Sequence, residues 1–210
     1  MAQMGGNGIS VGEERYAVVT GANKGIGLEI ARQLASAGII LDVLDHVSIQ
    51  SLAIFIREKF GRLDILINNA GATSQVVDED DEDALKALNI DPEILRQGYY
   101  HLVSRITEAL LPLLQLSHGK ARMVNVSSRR VNSRYQIATL YAISKACLNA
   151  YTRVLAKKYP NMLINCVHPG FVDTDLTWHR GTLSAEEGAE VQSCWLSYQK
   201  KVLLLLFSFN

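Results

Sequence analysis

Apolar and polar positions alternate along this chain in two rhythms. Tyr16-Ala17-Val18-Val19-Thr20 is a short, nearly continuous apolar run that stops at Gly21. Gly25 to Ala37 then carries Ile26, Ile30, Leu34 and Ala37 at helical spacing, and Gly38 stands where a helix-terminating glycine is expected. Ile39 to Val43 is a second apolar run. Ser48 to Phe60 predicts an amphipathic helix with Leu52, Phe55, Ile56 and Phe60 on one face, and Leu63 to Ile67 a third strand ended by Asn68-Asn69-Ala70-Gly71. The acids Asp78 to Asp83 read as a solvated loop or helix entrance rather than a metal site. A long helical pattern follows to about Leu116, with Pro112 expected to kink or divide its last turns. Arg122 to Val126 is a fourth strand, Thr139 to Lys158 a helix, and Met162 to Val167 a fifth strand before His168-Pro169-Gly170. Ser184-Ala185-Glu186-Glu187 has the form of a capping box and opens a last helix. Short continuous apolar strands between helices indicate a parallel sheet covered on both faces. The expected fold class is α/β, a doubly wound parallel sheet in a single domain.

Composition narrows the partners. Of 210 residues, 21 are Lys or Arg and 21 are Asp or Glu, so the formal net charge is zero. That balance excludes the cationic surplus by which nucleic-acid binders meet phosphates. At 48% hydrophobic and 20% charged residues the chain can bury a real core. Its 3 cysteines, Cys147, Cys166 and Cys194, show no metal-type spacing and no disulfide framework, so a reducing, cytoplasmic compartment is expected. Met1 to Gly12 has no apolar core and is not read as a secretory signal. The aliphatic run Val202 to Phe207 is too short to span a bilayer, and no membrane partner is expected.

Four segments carry chemistry. Thr20-Gly21-Ala22-Asn23-Lys24-Gly25-Ile26-Gly27 places a glycine-rich turn between a strand and a helix, where a phosphate can approach the backbone and the helix N-terminus. Its spacing differs from the G-x-G-x-x-G fingerprint, and a plain strand-to-helix connection also fits. Asn68-Asn69-Ala70-Gly71 ends the third strand, at the carboxyl edge where ligands of open α/β sheets bind, although Asn and Gly also favour plain turns. Tyr141-Ala142-Ile143-Ser144-Lys145 sets a phenol and an ammonium on one helix face, where the cation lowers the tyrosine pKa towards general acid–base work. Ser127-Ser128 ends the fourth strand, so that a hydroxyl there can meet a substrate carbonyl or form a turn. Pro169-Gly170-Phe171-Val172-Asp173-Thr174-Asp175 follows the fifth strand and can hold a carboxamide.

Together, in this order and spacing, the segments resemble the short-chain dehydrogenase/reductase family over about Arg15 to Glu190. Glu108-Ala109-Leu110-Leu111-Pro112-Leu113-Leu114 and Asn165-Cys166-Val167-His168-Pro169-Gly170 look like its plant branch, related to neomenthol dehydrogenase, salutaridine reductase and carbonyl reductase. The resemblance implies a Rossmann-like NAD(P)-binding catalytic domain over 14–192, with a flexible tail at 1–13 and an atypical tail at 193–210. It further implies that Tyr141 exchanges a proton with a small-molecule carbonyl or alcohol. Lys145 would hold the nicotinamide ribose and depress the Tyr141 pKa, and Ser128 would orient the carbonyl with support from Ser127. Gly21, Asn23, Lys24, Gly25, Ile26 and Gly27 would surround the adenosine and pyrophosphate. Asn69, Ala70 and Gly71 would flank the adenosine, and Pro169, Gly170, Val172 and Thr174 would meet the nicotinamide. Lys24 favours NADP over NAD, because a cation there can meet the ribose 2′-phosphate.

The chain departs from the family pattern in three places. After Gly38, roughly thirty residues, the size of a strand-plus-crossover unit, are missing. Leu41-Asp42-Val43 then corresponds to the family's third-strand end, whose Asp42 neighbours adenine. Alternatively Ile39 to Val43 takes the second strand's place, and Asp42 or Asp45 meets the ribose as in an NAD site. The family's catalytic asparagine falls at Gly98 or Tyr99, neither of which supplies an amide. From about Gln192 the tail is unlike the family's closing elements, and its leucine run must be buried, add an edge strand or promote association. The expected function is an NADP-dependent carbonyl reductase or alcohol dehydrogenase, as a monomer or weak homo-oligomer. The alternative is a shortened, weakly active or inactive variant acting as a binding or interaction protein.

Overall fold

The computed structural model describes residues 15–34, 38–42, 46–70, 92–128, 136–196 and 202–208. The strands are β1 (Arg15–Thr20), β2 (Gly38–Asp42), β3 (Ile65–Asn68), β4 (Arg122–Val126), β5 (Leu163–Val167) and β6 (Val202–Ser208). The helices are α1 (Gly25–Leu34), α2 (His46–Phe60), α3 (Pro92–Leu114), α4 (Gln136–Lys158) and α5 (Ala185–Leu196), with a 3-10 turn at Asp175–Thr177.

Burial explains why the strands read as continuous apolar runs. Ala17 and Val19 face one layer with Ile65, Ile67, Val124, Val126 and Val167, packed beneath Ile30 and Ala31 of α1 and Ala189 of α5. Val18, Leu66, Met123 and Ile164 face the other layer, beneath Ile56 of α2, Leu110 of α3 and Leu155 of α4. With both faces covered, the strand positions of β1, β3 and β4 are mostly apolar, and the buried amides Asn68 and Asn125 are hydrogen-bonded to each other. The doubly wound α/β architecture is therefore as the sequence predicts.

All strand pairs are parallel, and the order is β2-β6-β1-β3-β4-β5. Successive strands lead away from β1 in opposite directions, so the switch point lies between β1 and β3, where a ligand crevice opens at the carboxyl ends.

Several local expectations shift. Gly38, read as a helix terminator, is the first residue of β2. Helix α3 runs through Pro112 to Leu114 without dividing, because a proline in the last turn removes few backbone bonds. The acidic run 78–83 lies outside the described residues.

Of the three outcomes open to the leucine run, an interior place in the sheet is the one observed. The run adds no edge strand: β6 is hydrogen-bonded in parallel to β1 on one side and to β2 on the other. An interior slot satisfies both rows of its backbone groups, which an edge position leaves half unpaired. The alternative in which Ile39 to Val43 takes the second strand's place is overturned for the same reason, since β6 separates β2 from β1.

Candidate active site

The turn after β1 is shaped by backbone contacts. Gly21 has φ +65°, and a Cβ there would lie 2.7 Å from the Ala70 Cα. A Cβ on Gly27 would overlap the Gly21 carbonyl oxygen and the Asn69 side-chain amide. Thr20 Oγ1 accepts the backbone N–H groups of Asn69 and Ala70, each at 3.0 Å. In return Asn69 Nδ2 donates to the carbonyls of Thr20 (3.1 Å) and Gly21 (3.2 Å). These bonds sew the carboxyl ends of β1 and β3 together. The amide of Asn69 is thereby committed to the backbone, so its role is to position the glycine turn.

Across the crevice, the segment after β5 leans onto the same turn. A Cβ on Gly25 would sit 3.3 Å from Thr174 Cγ2. Lys24 Nζ pairs with Asp175 Oδ2 at 2.5 Å, and the lysine holds the Asp175 carboxyl below its ordinary pKa. His179 bridges Asp173 (Nδ1, 2.8 Å) and Asp175 (Nε2, 3.3 Å). Trp178 and His179 both adopt left-handed backbone, at φ 50° and 57°, a conformation costly for non-glycine residues and kept where surrounding contacts enforce it. Thr177 Oγ1 accepts the Thr174 N–H at 3.0 Å and donates to the Val172 carbonyl at 2.6 Å. The side chain of Val172 is buried against Gly188 of α5, leaving its backbone as the part that can meet a ligand.

At the end of β4, Ser127 is buried; its hydroxyl donates to Asn149 Oδ1 (2.7 Å) and its N–H to the Val167 carbonyl (2.8 Å). Ser128 follows it, half-buried. Lys145 lies on α4 one turn after Tyr141 and is only 4% exposed. Its Nζ donates to the Val126 carbonyl at 2.8 Å. Burial drives its pKa down to about 7, with the nearby Cys166 opposing that shift. Beneath, Asn68 Nδ2 donates to Asn125 Oδ1 (2.8 Å), and Asn125 Nδ2 to Thr152 Oγ1 (2.8 Å). This buried ladder ties β3 and β4 to α4, and so fixes the helix that carries Lys145.

The structure thus brings Gly21, Gly25, Gly27, Asn69, Ala70, Ser128, Lys145, Pro169, Gly170, Val172 and Thr174 to one edge of the sheet, with Asn23 and Lys24 on the exposed turn. Tyr141 shares α4 with Lys145, and Asp42 ends β2, two strands from β1. The side chains of Tyr141 and Asp42, and Gly71 altogether, lie outside the described residues. Gly98 and Tyr99 fall within α3. Sequence reading missed Asp175, His179 and Asn149. Only the short distance from Thr174 to Asp175 hinted at the first, and nothing in the sequence linked Asn149 to Ser127.

A dinucleotide fits what is present. Backbone from β1, β3 and the β5 loop converges where added Cβ atoms would collide, and the first N–H groups of α1 open towards the same place.

Fold and site define the class: a Rossmann-like domain with a glycine turn after β1 and a buried lysine held at the end of β4. The chain belongs to the short-chain dehydrogenase family, whose profile, described as short chain dehydrogenase, matches residues 36–183. It is 37% identical to short-chain dehydrogenase/reductase 1 of Saponaria officinalis, over 84% of this chain and 88% of that one. It is 35% identical to (+)-neomenthol dehydrogenase of Arabidopsis thaliana, over 83% of this chain and 88% of that one. The solved structure of salutaridine reductase from Papaver somniferum superposes with TM-score 0.70 at 30% identity, covering 91% of this chain and 99% of that one. The Saponaria alignment runs over 267 positions, more than the 210 residues here, so the relative carries stretches with no counterpart in this chain. Family membership makes the chain an oxidoreductase type acting on carbonyl and alcohol groups. Among the described residues no helix is long and apolar enough to cross a membrane.

Proposed function

We propose that the chain is an NADP-dependent oxidoreductase interconverting a ketone or aldehyde and an alcohol, with Ser128, Tyr141 and Lys145 as its catalytic residues. The observation that carries this reading is Lys145: a buried ammonium held against the Val126 carbonyl, at the carboxyl end of β4. Burying an amine is costly, and such costs concentrate at functional sites. A nicotinamide dinucleotide, when bound, supplies or accepts the hydride. The chain's own groups do the rest. The Tyr141 hydroxyl gives its proton to the carbonyl oxygen, or takes one from an alcohol. Lys145 lowers the cost of the phenolate and binds ribose hydroxyls, and Ser128 donates to the carbonyl oxygen. Gly21, Asn23, Lys24, Gly25, Ile26 and Gly27 hold the pyrophosphate and adenosine, beside Asn69, Ala70 and Gly71. Pro169, Gly170, Val172 and Thr174 receive the carboxamide. Lys24 supports NADP, because its ammonium can leave the exposed Asp175 for a 2′-phosphate. Phe171, Leu176 and Trp178 stand exposed beside the crevice and favour a substrate with an apolar body.

The test follows NADPH absorbance with a panel of carbonyl compounds. Tyr141→Phe is expected to lower turnover by about 100-fold or more while NADPH binding persists. Turnover unchanged by that substitution would sink the reading. A second reading, a weakly active variant kept as a binding protein, is favoured by one observation: the stretches of the relatives that have no counterpart here. It predicts NADPH binding without turnover of any carbonyl offered.

A further inference from the structure

Strand β4 and helix α4 are joined by side-chain hydrogen bonds as well as by packing. Met123, Asn125 and Ser127 alternate along β4 and its end, and Met123 lies in the apolar layer beneath α4. The other two reach the helix through polar atoms. Asn125 Nδ2 donates to Thr152 Oγ1 at 2.8 Å, and Ser127 Oγ donates to Asn149 Oδ1 at 2.7 Å. Between these pairs the Val126 carbonyl accepts Lys145 Nζ, one helical turn before Asn149. Ser127 is also held from β5, since its N–H donates to the Val167 carbonyl at 2.8 Å. Each residue from Asn125 to Ser127 is thus tied to α4, and Ser128 comes next. Asn149 supplies the last of these ties. Its side chain also borders a cavity of about 310 Å³, walled by Thr152, Arg153, Ala156 and Cys166. A side chain of similar size can therefore replace it without crowding.

We propose that Asn149 is a positioning residue for the carbonyl–alcohol reaction, acting through the Ser127 hydroxyl to hold the Ser128 end of β4 in register with Lys145. The inference rests on the roles of Ser128, Tyr141 and Lys145 proposed above. Without the Asn149 oxygen, Ser127 keeps its tie to β5 and loses the one to α4. Ser128 then samples positions in which its hydroxyl misses the carbonyl oxygen, and a small misplacement is costly to a step that depends on alignment. The glycine turn is untouched, because Thr20 and Asn69 hold it by bonds of their own. The loss accordingly falls on turnover and spares nucleotide affinity.

The test measures kcat and KM, with the best carbonyl compound of the panel, and NADPH affinity by cofactor fluorescence. It compares the wild type with Asn149→Leu, Asn149→Asp, Ser127→Ala and the double variant Asn149→Leu, Ser127→Ala. Asn149→Leu removes the acceptor at nearly constant shape, and should lower kcat about tenfold while NADPH affinity stays within about twofold. Asn149→Asp keeps an acceptor oxygen and should hold kcat within about threefold of the wild type. Ser127→Ala should match Asn149→Leu, and the double variant should be no slower than either, because all three delete one bond. A kcat unmoved in Asn149→Leu overturns the inference and leaves the carbonyl–alcohol reading intact. So do an equal loss of NADPH affinity, losses that multiply in the double variant, or an Asn149→Asp variant no faster than Asn149→Leu. Should Asn149→Leu fail to fold, Asn149→Asp and Ser127→Ala decide the matter, and equal kcat in those two overturns the inference. A wild type that binds NADPH and turns over no carbonyl overturns the reading of the site itself, and this inference with it.

Discussion

Lys145 shows how one side chain records both a cost and a use. In the unfolded chain its pKa is the ordinary 10.5, and in the fold it is about 7. Between those values the unfolded chain holds a proton that the native chain lacks, so this group makes stability rise as pH climbs from about 7 towards 10.5. Below about 7 both states hold the proton and the burial penalty is complete. Lys145→Met is therefore expected to melt higher than the wild type at neutral pH, with the two melting temperatures converging towards pH 10. Thermal scans across that range check it, and equal melting temperatures at neutral pH would contradict it. Gly27 makes the converse case, a residue defined by what it omits. Gly27→Ala forces a methyl against the Gly21 carbonyl and the Asn69 amide, and should cost about 1–3 kcal/mol of stability, measured by urea unfolding. The glycines of this turn were legible as a motif. That Gly27 must yield to Asn69 was not, because the contact joins residues far apart in sequence.

At the scale of elements, agreement between sequence and structure tracks how local the cause is. The capping box at the start of α5 forms as its spacing predicts: Ser184 Oγ accepts the Glu187 N–H at 3.1 Å, and Glu187 Oε2 accepts the Ser184 N–H at 2.7 Å. Ser184→Ala should cost about 1 kcal/mol, again by urea unfolding, and a change near zero would show that tertiary contacts alone hold the helix. Strands β1, β3 and β4 were legible from apolar runs because burial on both faces leaves a strong pattern, and β5 was legible from its apolar residues although Leu163 and Cys166 are exposed. Their ends were less so. Gly38 favours a helix end by local preference, and pairing with β6 draws it into a strand instead. The serine and lysine of the candidate site were legible because their elements were. Their neighbours Asn149 and Asp175 were not, since a hydrogen bond from Ser127 to Asn149 leaves no mark on either residue's own segment.

For the molecule as a whole, the decisive contact is the pairing of β6 with β1 and β2. Among the described residues β2 has no strand neighbour except β6, so the α1-side half of the sheet depends on it. Removing residues 197–210 leaves the outer edge of β1 unpaired beside the glycine turn and detaches β2. The shortened chain is expected to lose cooperative unfolding and to aggregate, judged by circular-dichroism melting and size exclusion. A truncated chain that melts cooperatively at the wild-type temperature would show that the strand is dispensable.

The sequence by itself determined what periodicity and local chemistry can encode. It set the alternation of strands and helices, the covering of both sheet faces, the glycine turn, and the tyrosine and lysine one turn apart on α4. It also registered that a strand-and-crossover unit was missing after Gly38. Only the tertiary structure decided what fills that place. An apolar strand of seven residues pairs with any open edge of suitable register, and nothing in its own sequence says which edge. The choice falls to the slot between β1 and β2, where both rows of its backbone groups find partners at once.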